Sequence, residues 1–273
     1  MPDSYTDDLR LAHVLADTAD SITRDRFKSL DLRVESKPDL TPVTDADIAV
    51  EDAIRASLKR ARPRDAVHGE ERDDTGWGPR RWVIDPIDGT KNFVRGVPVW
   101  ATLIALMHGD EVVAGVVSAP ALGRRWWASK DDGAFAGTSL LNGTRIRVSG
   151  VSQLSDASLS YSSIGGWITS GHGQAFVDLM RECWRTRAYG DFWSYVLLAE
   201  GAVDIATEPE LALHDMAALD IIVREAGGRF SNVAGRPGPV GPGALATNGN
   251  LHDVAVEWLN PTYEDTAEVP TLS

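Results

Sequence analysis

The sequence predicts a mixed α/β protein, and three patterns carry that expectation. Residues 5 to 27 repeat apolar side chains at helical spacing, residues 99 to 148 alternate between turn signals like an antiparallel meander, and beyond about residue 150 strand-like and helix-like stretches alternate. In order, Leu9, Ala12, Ala16, Ala19 and Ile22 recur three and four apart and define the first helix. KPDLTPVTDADIAVEDAIRASLKRARP reads as a loop and then a helix, with Thr44 as N-cap, Asp47 three residues on, and Pro63 marking the end. Residues 81 to 84 (RWVI) are expected to form a short strand that stops at Asp85. WATLIALMHGDEVVAGVVSAP and RRWWASKDDGAFAG are β-rich, with turns at Gly109-Asp110 and Asp132-Gly133.

In the later part, ASLSYSS and AVDIAT read as strands, while QAFVDLMRECWR, FWSYVLLAEG and MAALDIIVREAGG read as helices. Residues 234 to 244, rich in Gly and Pro, form a loop. The expected organisation is an α+β half over residues 1–149, an α/β half over 150–260, and a polar, disordered tail over 261–273.

The chain has 273 residues, enough for one large domain or two modest ones with real cores. Its formal net charge of −13 argues against nucleic acid or an anionic membrane as partner, because the bulk field repels both. An anionic ligand would need local neutralisation, for which a metal ion is the natural candidate. The single cysteine, Cys183, excludes an internal disulfide and fits a reducing cytoplasm. MPDSYTDDLR is acidic and lacks an apolar core, so no signal peptide is expected, and no apolar run approaches a membrane span.

Four acidic groups stand out: Asp39 and Asp45 in DLTPVTD, Glu70 and Glu71 in HGEE, Asp85 and Asp88 in DPIDGT, and Asp215 in LHDMAALD. Any one of them alone reads better as a cap or turn. DPIDGT is harder to dismiss. A turn could bring Asp85, Asp88 and the Ile87 carbonyl to one point, a set of hard oxygen donors that suits Mg²⁺. Without a cation the two carboxylates would repel and one would be driven toward protonation. Gly89 and Thr90 then open a turn or helix whose N–H groups could receive an anion. A cation beside an anion cradle points to phosphate chemistry.

WVIDPIDGTKNF resembles the first signature of the inositol monophosphatase-like, Mg²⁺-dependent phosphatases, and HDMAALDIIVREAGG resembles their second. GEE at 69–71 and the D-x-x-T-x-x-D-like DLTPVTD fall in the expected order, and the similarity runs from about residue 7 to 259. The resemblance implies a layered αβαβα sandwich, usually dimeric. It implies one metal held by Glu70, Asp85 and the Ile87 carbonyl, a second held by Asp85, Asp88 and Asp215, and a third, weaker one near Glu70, so two or three Mg²⁺ per site. It assigns Thr90 and Asp45 to the pair that polarises the attacking water, with Glu70 also catalytic, and makes Glu70, Ile87, Asp88, Gly89, Thr90 and Asp215 the border of the bound phosphate ester. Metal ions acidify water and stabilise in-line displacement, so no covalent intermediate is needed and Cys183 is expected to be structural.

Substrate choice should lie elsewhere. Where the inositol type has small residues after Arg-x-x-Gly, this chain has RAYGDFWSY, with Asp191 replacing a neutral hydroxyl residue and Phe192 a small one. Gly-Asp followed by aromatics resembles the histidinol-phosphate-hydrolysing branch of the family, active in histidine biosynthesis. A carboxylate at the non-phosphate end would pair with an ammonium group or an imidazole N–H. Glu208, seven residues before Asp215, matches a substrate-contacting glutamate found across the family and so does not discriminate. Arg187 is a further candidate for substrate contact, in its own site or across a dimer. Asp191 also sits where a helix N-cap would, and Trp193 reads better as core. Trp167 lies in the Gly-rich stretch SIGGWITSG, read as a mobile loop with the ring packing. His68 and His214 read as supporting or packing groups, since Mg²⁺ prefers oxygen. Two other functions stay open: an inositol-1-monophosphatase or broad sugar-phosphate phosphatase, and a non-catalytic module that holds a phosphorylated ligand through a metal.

Overall fold

The computed structural model describes residues 5–38 and 40–261. Asp39 of the DLTPVTD stretch and residues 262–273 of the expected tail lie outside the described residues. The chain runs α1 (Thr6–Arg26), a hairpin of β1 (Val34–Ser36) and β2 (Pro42–Thr44), α2 (Asp45–Ala61), β3 (Ala66–Gly69), β4 (Arg80–Asp88), short α3 (Thr90–Arg95), β5 (Ala101–His108), β6 (Glu111–Ala119), β7 (Arg124–Ser129), β8 (Gly133–Gly137) and β9 (Thr144–Arg145). It continues with β10 (Ser158–Ser160), α4 (Ile164–Thr169), α5 (Gly173–Glu182), β11 (Arg185–Arg187), α6 (Asp191–Ala199), β12 (Ile205–Glu208), α7 (Leu213–Glu225), β13 (Arg229–Ser231), β14 (Ala244–Thr247) and α8 (His252–Leu259).

Strands β3 to β9 form a seven-stranded sheet in chain order, antiparallel except for the β3–β4 pair. The second sheet has the order β11-β10-β12-β14-β13 and mixes parallel and antiparallel pairs. Helices α1 and α2 cover one face of the large sheet, burying Leu15 and Ile54 against Trp82, Ile104 and Val116. Helices α6 and α7 fill the space between the sheets, with Val196 and Ile222 in one cluster with Leu103 and Trp126 on one side and Phe230 and Ala246 on the other. Helices α4, α5 and α8 close the outer face around Trp167, Phe176, Leu245 and Leu259. This is the expected αβαβα layering. Burial on two sides explains why FWSYVLLA and MAALDIIV are apolar nearly all round rather than along one stripe.

The Thr44 cap is as expected: Thr44 Oγ1 accepts from the Ala46 and Asp47 N–H groups, and Asp47 Oδ2 accepts the Thr44 N–H at 2.8 Å. Two expectations are corrected. The RWVI strand does not stop at Asp85 but runs on to Asp88. SIGGWITSG is not a loop: its core is α4, started by Ser163 Oγ accepting the Gly165 N–H, and Trp167 is fully buried, stacked on Phe176 at 4.3 Å.

Candidate active site

In a regular strand, residues three apart point to opposite faces. Asp85 and Asp88 escape this rule because β4 bulges between them. Asp85 lies opposite Leu103 and Asp88 opposite Ala101, so three steps on β4 answer two on β5. The extra residue resets the phase and turns both carboxylates to the same side. The expected turn is thus a bulge inside a strand. Asp215 comes from the first turn of α7, where its Oδ2 accepts the Ala212 N–H at 2.7 Å. One oxygen from each of the three carboxylates lies within 4.8 Å of the others.

Asp85 Oδ1 is buried without a partner among the described residues, while Asp88 Oδ2 accepts the Phe192 N–H at 2.6 Å. Burial drives the pKa values of Asp85 and Asp88 well above the usual carboxylate range, reinforced at Asp85 by the charges of Glu70 and Asp88 and at Asp88 by those of Asp191 and Asp215. Asp215 is also raised by burial, with His214 working against it. Converging oxygen donors, mutual repulsion and a buried unpartnered oxygen together fit a hard divalent cation. The Ile87 side chain is buried with Ala46, Phe93 and Trp100. Its carbonyl accepts the Thr90 hydroxyl at 2.9 Å and retains a second lone pair.

Glu70 follows β3 but stands apart from the triad. Its Oε1 accepts from Lys37 Nζ at 2.6 Å, and the same ammonium lies 2.7 Å from Glu71. Burial works against the charged Lys37, but the bonds to Glu70 and Glu71 outweigh it and raise its pKa. Behind this loop the fully buried Glu51 accepts the Glu71 N–H at 2.8 Å and Arg55 Nε at 2.7 Å. A Cβ on Gly69 would fall 2.2 Å from Glu51 Oε1, so a larger residue there would push the Glu51 carboxylate off its bonds to Glu71 and Arg55.

The expected pairing of Thr90 with Asp45 is corrected. Thr90 Oγ1 faces Asp47 Oδ1 at 3.3 Å, and Asp45 instead accepts from Arg26 Nη2 at 2.7 Å. The N-cap geometry decides this. Asp47, at the third helical position, folds back over the helix end; Asp45, at the first, points toward α1. Burial raises the Asp47 pKa to about 6, opposed by its bonds to Thr44.

Gly89 carries φ 83° at the start of α3, where an added Cβ would meet the Val99 carbonyl at 3.1 Å. It delivers the first N–H groups of α3, which lack intrahelical acceptors, to the wall of a cavity of about 690 Å³. Asp88, Asp191 and Asp215 line the same cavity, as do Lys37, Glu70 and Lys91. Asp191 is not the N-cap of α6 but its first helical residue, after the N-cap Gly190, with φ 49°; its Oδ2 accepts from Asn92 Nδ2 at 3.1 Å. Burial raises its pKa to about 6, with Lys91 opposing and Asp215 reinforcing. Glu208, at the end of β12, is raised to about 8, by burial first, against a hydrogen bond from Ser162.

Arg187 does not line this cavity. It is exposed on the edge strand β11, with Nη1 on the Thr186 carbonyl at 2.7 Å. Phe192 is core, and Trp193 packs edge-on to Trp126 at 5.7 Å. His68 Nδ1 pairs with Asp74 at 2.7 Å and its ring stacks with His214 at 6.0 Å. Cys183 is half-buried and burial pushes its thiol up to about 12, which leaves no thiolate at neutral pH. The sequence reading missed Lys37, Asn92 and Ser162 as parts of the site and misjudged Asp47, although the T-x-x-D capping spacing was visible.

A model of the inositol monophosphatase family matches residues 6–265. A Streptomyces coelicolor protein named histidinol-phosphatase is 64% identical over 267 residues, which cover 96% of this chain and 100% of that protein. A Mycobacterium tuberculosis histidinol-phosphatase is 58% identical over 255 residues, 93% of this chain and 98% of its own. Among solved structures, an inositol monophosphatase from Zymomonas mobilis superposes with a TM-score of 0.83 at 35% identity, covering 94% of this chain and 99% of that one.

Proposed function

The chain belongs to the inositol monophosphatase family, and from that premise we propose that it hydrolyses L-histidinol phosphate to L-histidinol and phosphate, a step of histidine biosynthesis, with Mg²⁺ as cofactor. Near-full-length relatives named histidinol-phosphatase support the substrate. Within the site, the observation that carries it is Asp191: a carboxylate on the cavity wall that, among the described residues, forms no ion pair and accepts only from the neutral Asn92 amide.

Asp85, Asp88 and Asp215 with the Ile87 carbonyl would hold the cation, and Glu70 would join by exchanging Lys37 for a second or third ion. Bound Mg²⁺ supplies positive charge to the phosphate and acidity to water. Thr90 and Asp47 form the proton path. The single Thr90 hydroxyl proton lies within reach of both the Ile87 carbonyl at 2.9 Å and Asp47 Oδ1 at 3.3 Å; with that carbonyl facing a cation, the proton would turn to Asp47, Thr90 Oγ1 would present lone pairs to accept a proton from water in the cavity, and Asp47 would be the final sink. The N–H groups at the start of α3 receive phosphate oxygens. Toward the other end of the ligand, Asp191 and Glu208 would pair with the ammonium group and an imidazole N–H, as charge-assisted bonds stronger than neutral ones. Arg187 joins this reading only across the interface of a homodimer, which we take to be the state of the protein in the cytoplasm.

The test is phosphate release from L-histidinol phosphate by chelator-treated protein, before and after Mg²⁺ is added back. Release only with the cation is expected. Ligand binding with no turnover would return the chain to a binding module, and chelator-insensitive turnover would remove the metal from the mechanism.

A further inference from the structure

We propose that Asn92 is a positioning residue for substrate choice, acting by aiming the Asp191 carboxylate; this rests on the reading of Asp191 as the partner of the substrate's ammonium group. Asn92 Nδ2 donates to the Val99 carbonyl at 2.9 Å and to Asp191 Oδ2 at 3.1 Å. Both amide protons are therefore used, and both partners are pure acceptors. A flipped amide would set its oxygen against a carbonyl and a carboxylate, so the orientation is determined by the chemistry.

Asp191 needs such support. Its backbone is left-handed, at φ 49°, a conformation that Asp tolerates mainly by bonding its side chain locally. Here the side chain reaches instead across to α3. The backbone around it is tied down separately: the Asp191 N–H donates to Ser162 Oγ at 3.0 Å and the Phe192 N–H to Asp88 Oδ2 at 2.6 Å. Those bonds hold the main chain but leave the carboxylate free to rotate, and only Asn92 among the described residues donates to it. Without that bond, repulsion from Asp88 and Asp215 would turn the group away from the cavity.

The neutrality of Asn92 matters as much as its reach. An Arg or Lys at this position would orient Asp191 but cancel its charge, and a cationic ligand would lose its attraction. An amide orients without pairing off the charge, so the carboxylate stays available to a cationic ligand.

The experiment measures kcat/KM for L-histidinol phosphate and for glycerol 2-phosphate, which carries no cation, in the wild type, Asn92→Ala, Asn92→Ser, Asp191→Asn and the Asn92→Ala/Asp191→Asn double variant, all with saturating Mg²⁺. The preference for histidinol phosphate should fall about tenfold in Asn92→Ala, mainly through KM, and the double variant should match Asp191→Asn within about twofold. Ser keeps a small polar group that falls short of Asp191, and gives the same readout should the alanine variant fail to fold. An unchanged preference in Asn92→Ala and Asn92→Ser, with a collapsed one in Asp191→Asn, overturns the positioning role alone. Full additivity in the double variant overturns it as well. An unchanged preference in Asp191→Asn overturns the reading of Asp191 and this inference with it.

Discussion

Replacing Asp47 by asparagine separates the proton path from the helix cap, because one carboxylate serves both. Asp47 is fully buried; its Oδ2 accepts the Thr44 N–H at 2.8 Å and the Thr44 hydroxyl at 2.5 Å, and its Oδ1 faces Thr90 Oγ1 at 3.3 Å. Asparagine has the same shape but only one accepting oxygen. Kept on Thr44, that oxygen preserves the cap, and the loss there is the charge, about 1 kcal/mol. The NH₂ group then faces Thr90, which can no longer pass a proton across. Loss of a general base costs about a hundredfold or more in kcat, about 2.7 kcal/mol of barrier. Asp45→Asn is the control. It weakens an ion pair with Arg26 whose side chains are 24% and 35% exposed, worth about 1 kcal/mol at most, and should leave kcat within about twofold. Phosphate release at saturating Mg²⁺, alongside thermal melts of both variants, reads the two effects separately. A larger kcat loss in Asp45→Asn than in Asp47→Asn would refute the reasoning.

Gly69→Ala forces a Cβ to within 2.2 Å of Glu51 Oε1, so Glu51 or the end of β3 must move; a loss of about 2–4 kcal/mol in melting is expected, with a higher Mg²⁺ requirement as Glu70 shifts. Metal-free protein should lose stability as pH rises from about 6.5 to 8. The sign follows from burial, which raises Glu208 to about 8 and Glu71 to about 7, so the folded state holds protons that the unfolded chain has released. The fall is on the order of 1–2 kcal/mol and should shrink with saturating Mg²⁺, which favours the ionised carboxylates. Below about 6.5 the buried His13 and His252, each lowered to about 4 mainly by burial, act in the opposite direction. A chelated melt that rises between pH 6.5 and 8 would contradict this. Cys183→Ala should retain kcat within about twofold, since a half-buried thiol that burial pushes up to about 12 takes no part in the chemistry.

Much of the fold was readable because its determinants are local. Helix α1 shows in the spacing of Leu9 through Ile22, α2 in its Thr44–Asp47 cap, and the meander in the turns after His108 and Ser129. Asp85, Asp88 and Asp215 were readable as residue types, but the device that joins the first two was not: a bulge depends on the register of β4 against β5, which no pattern within β4 reveals. The choice between Asp45 and Asp47 turns on two positions of one helix turn that face different ways, and counting from Asp39 selected the wrong one. Lys37 reaches Glu70 across 33 residues and Asn92 reaches Asp191 across 99. Contacts of that span arise when layers pack, and neither residue carries a local mark of its role.

The central claim is that this site hydrolyses a phosphate ester carrying a cation at its other end. The most direct test is kcat/KM for L-histidinol phosphate against inositol 1-phosphate, measured side by side at saturating Mg²⁺. A preference for histidinol phosphate of about a hundredfold or more is expected from a charge-assisted contact that inositol cannot make. Equal values, or a preference for inositol 1-phosphate, would contradict the account.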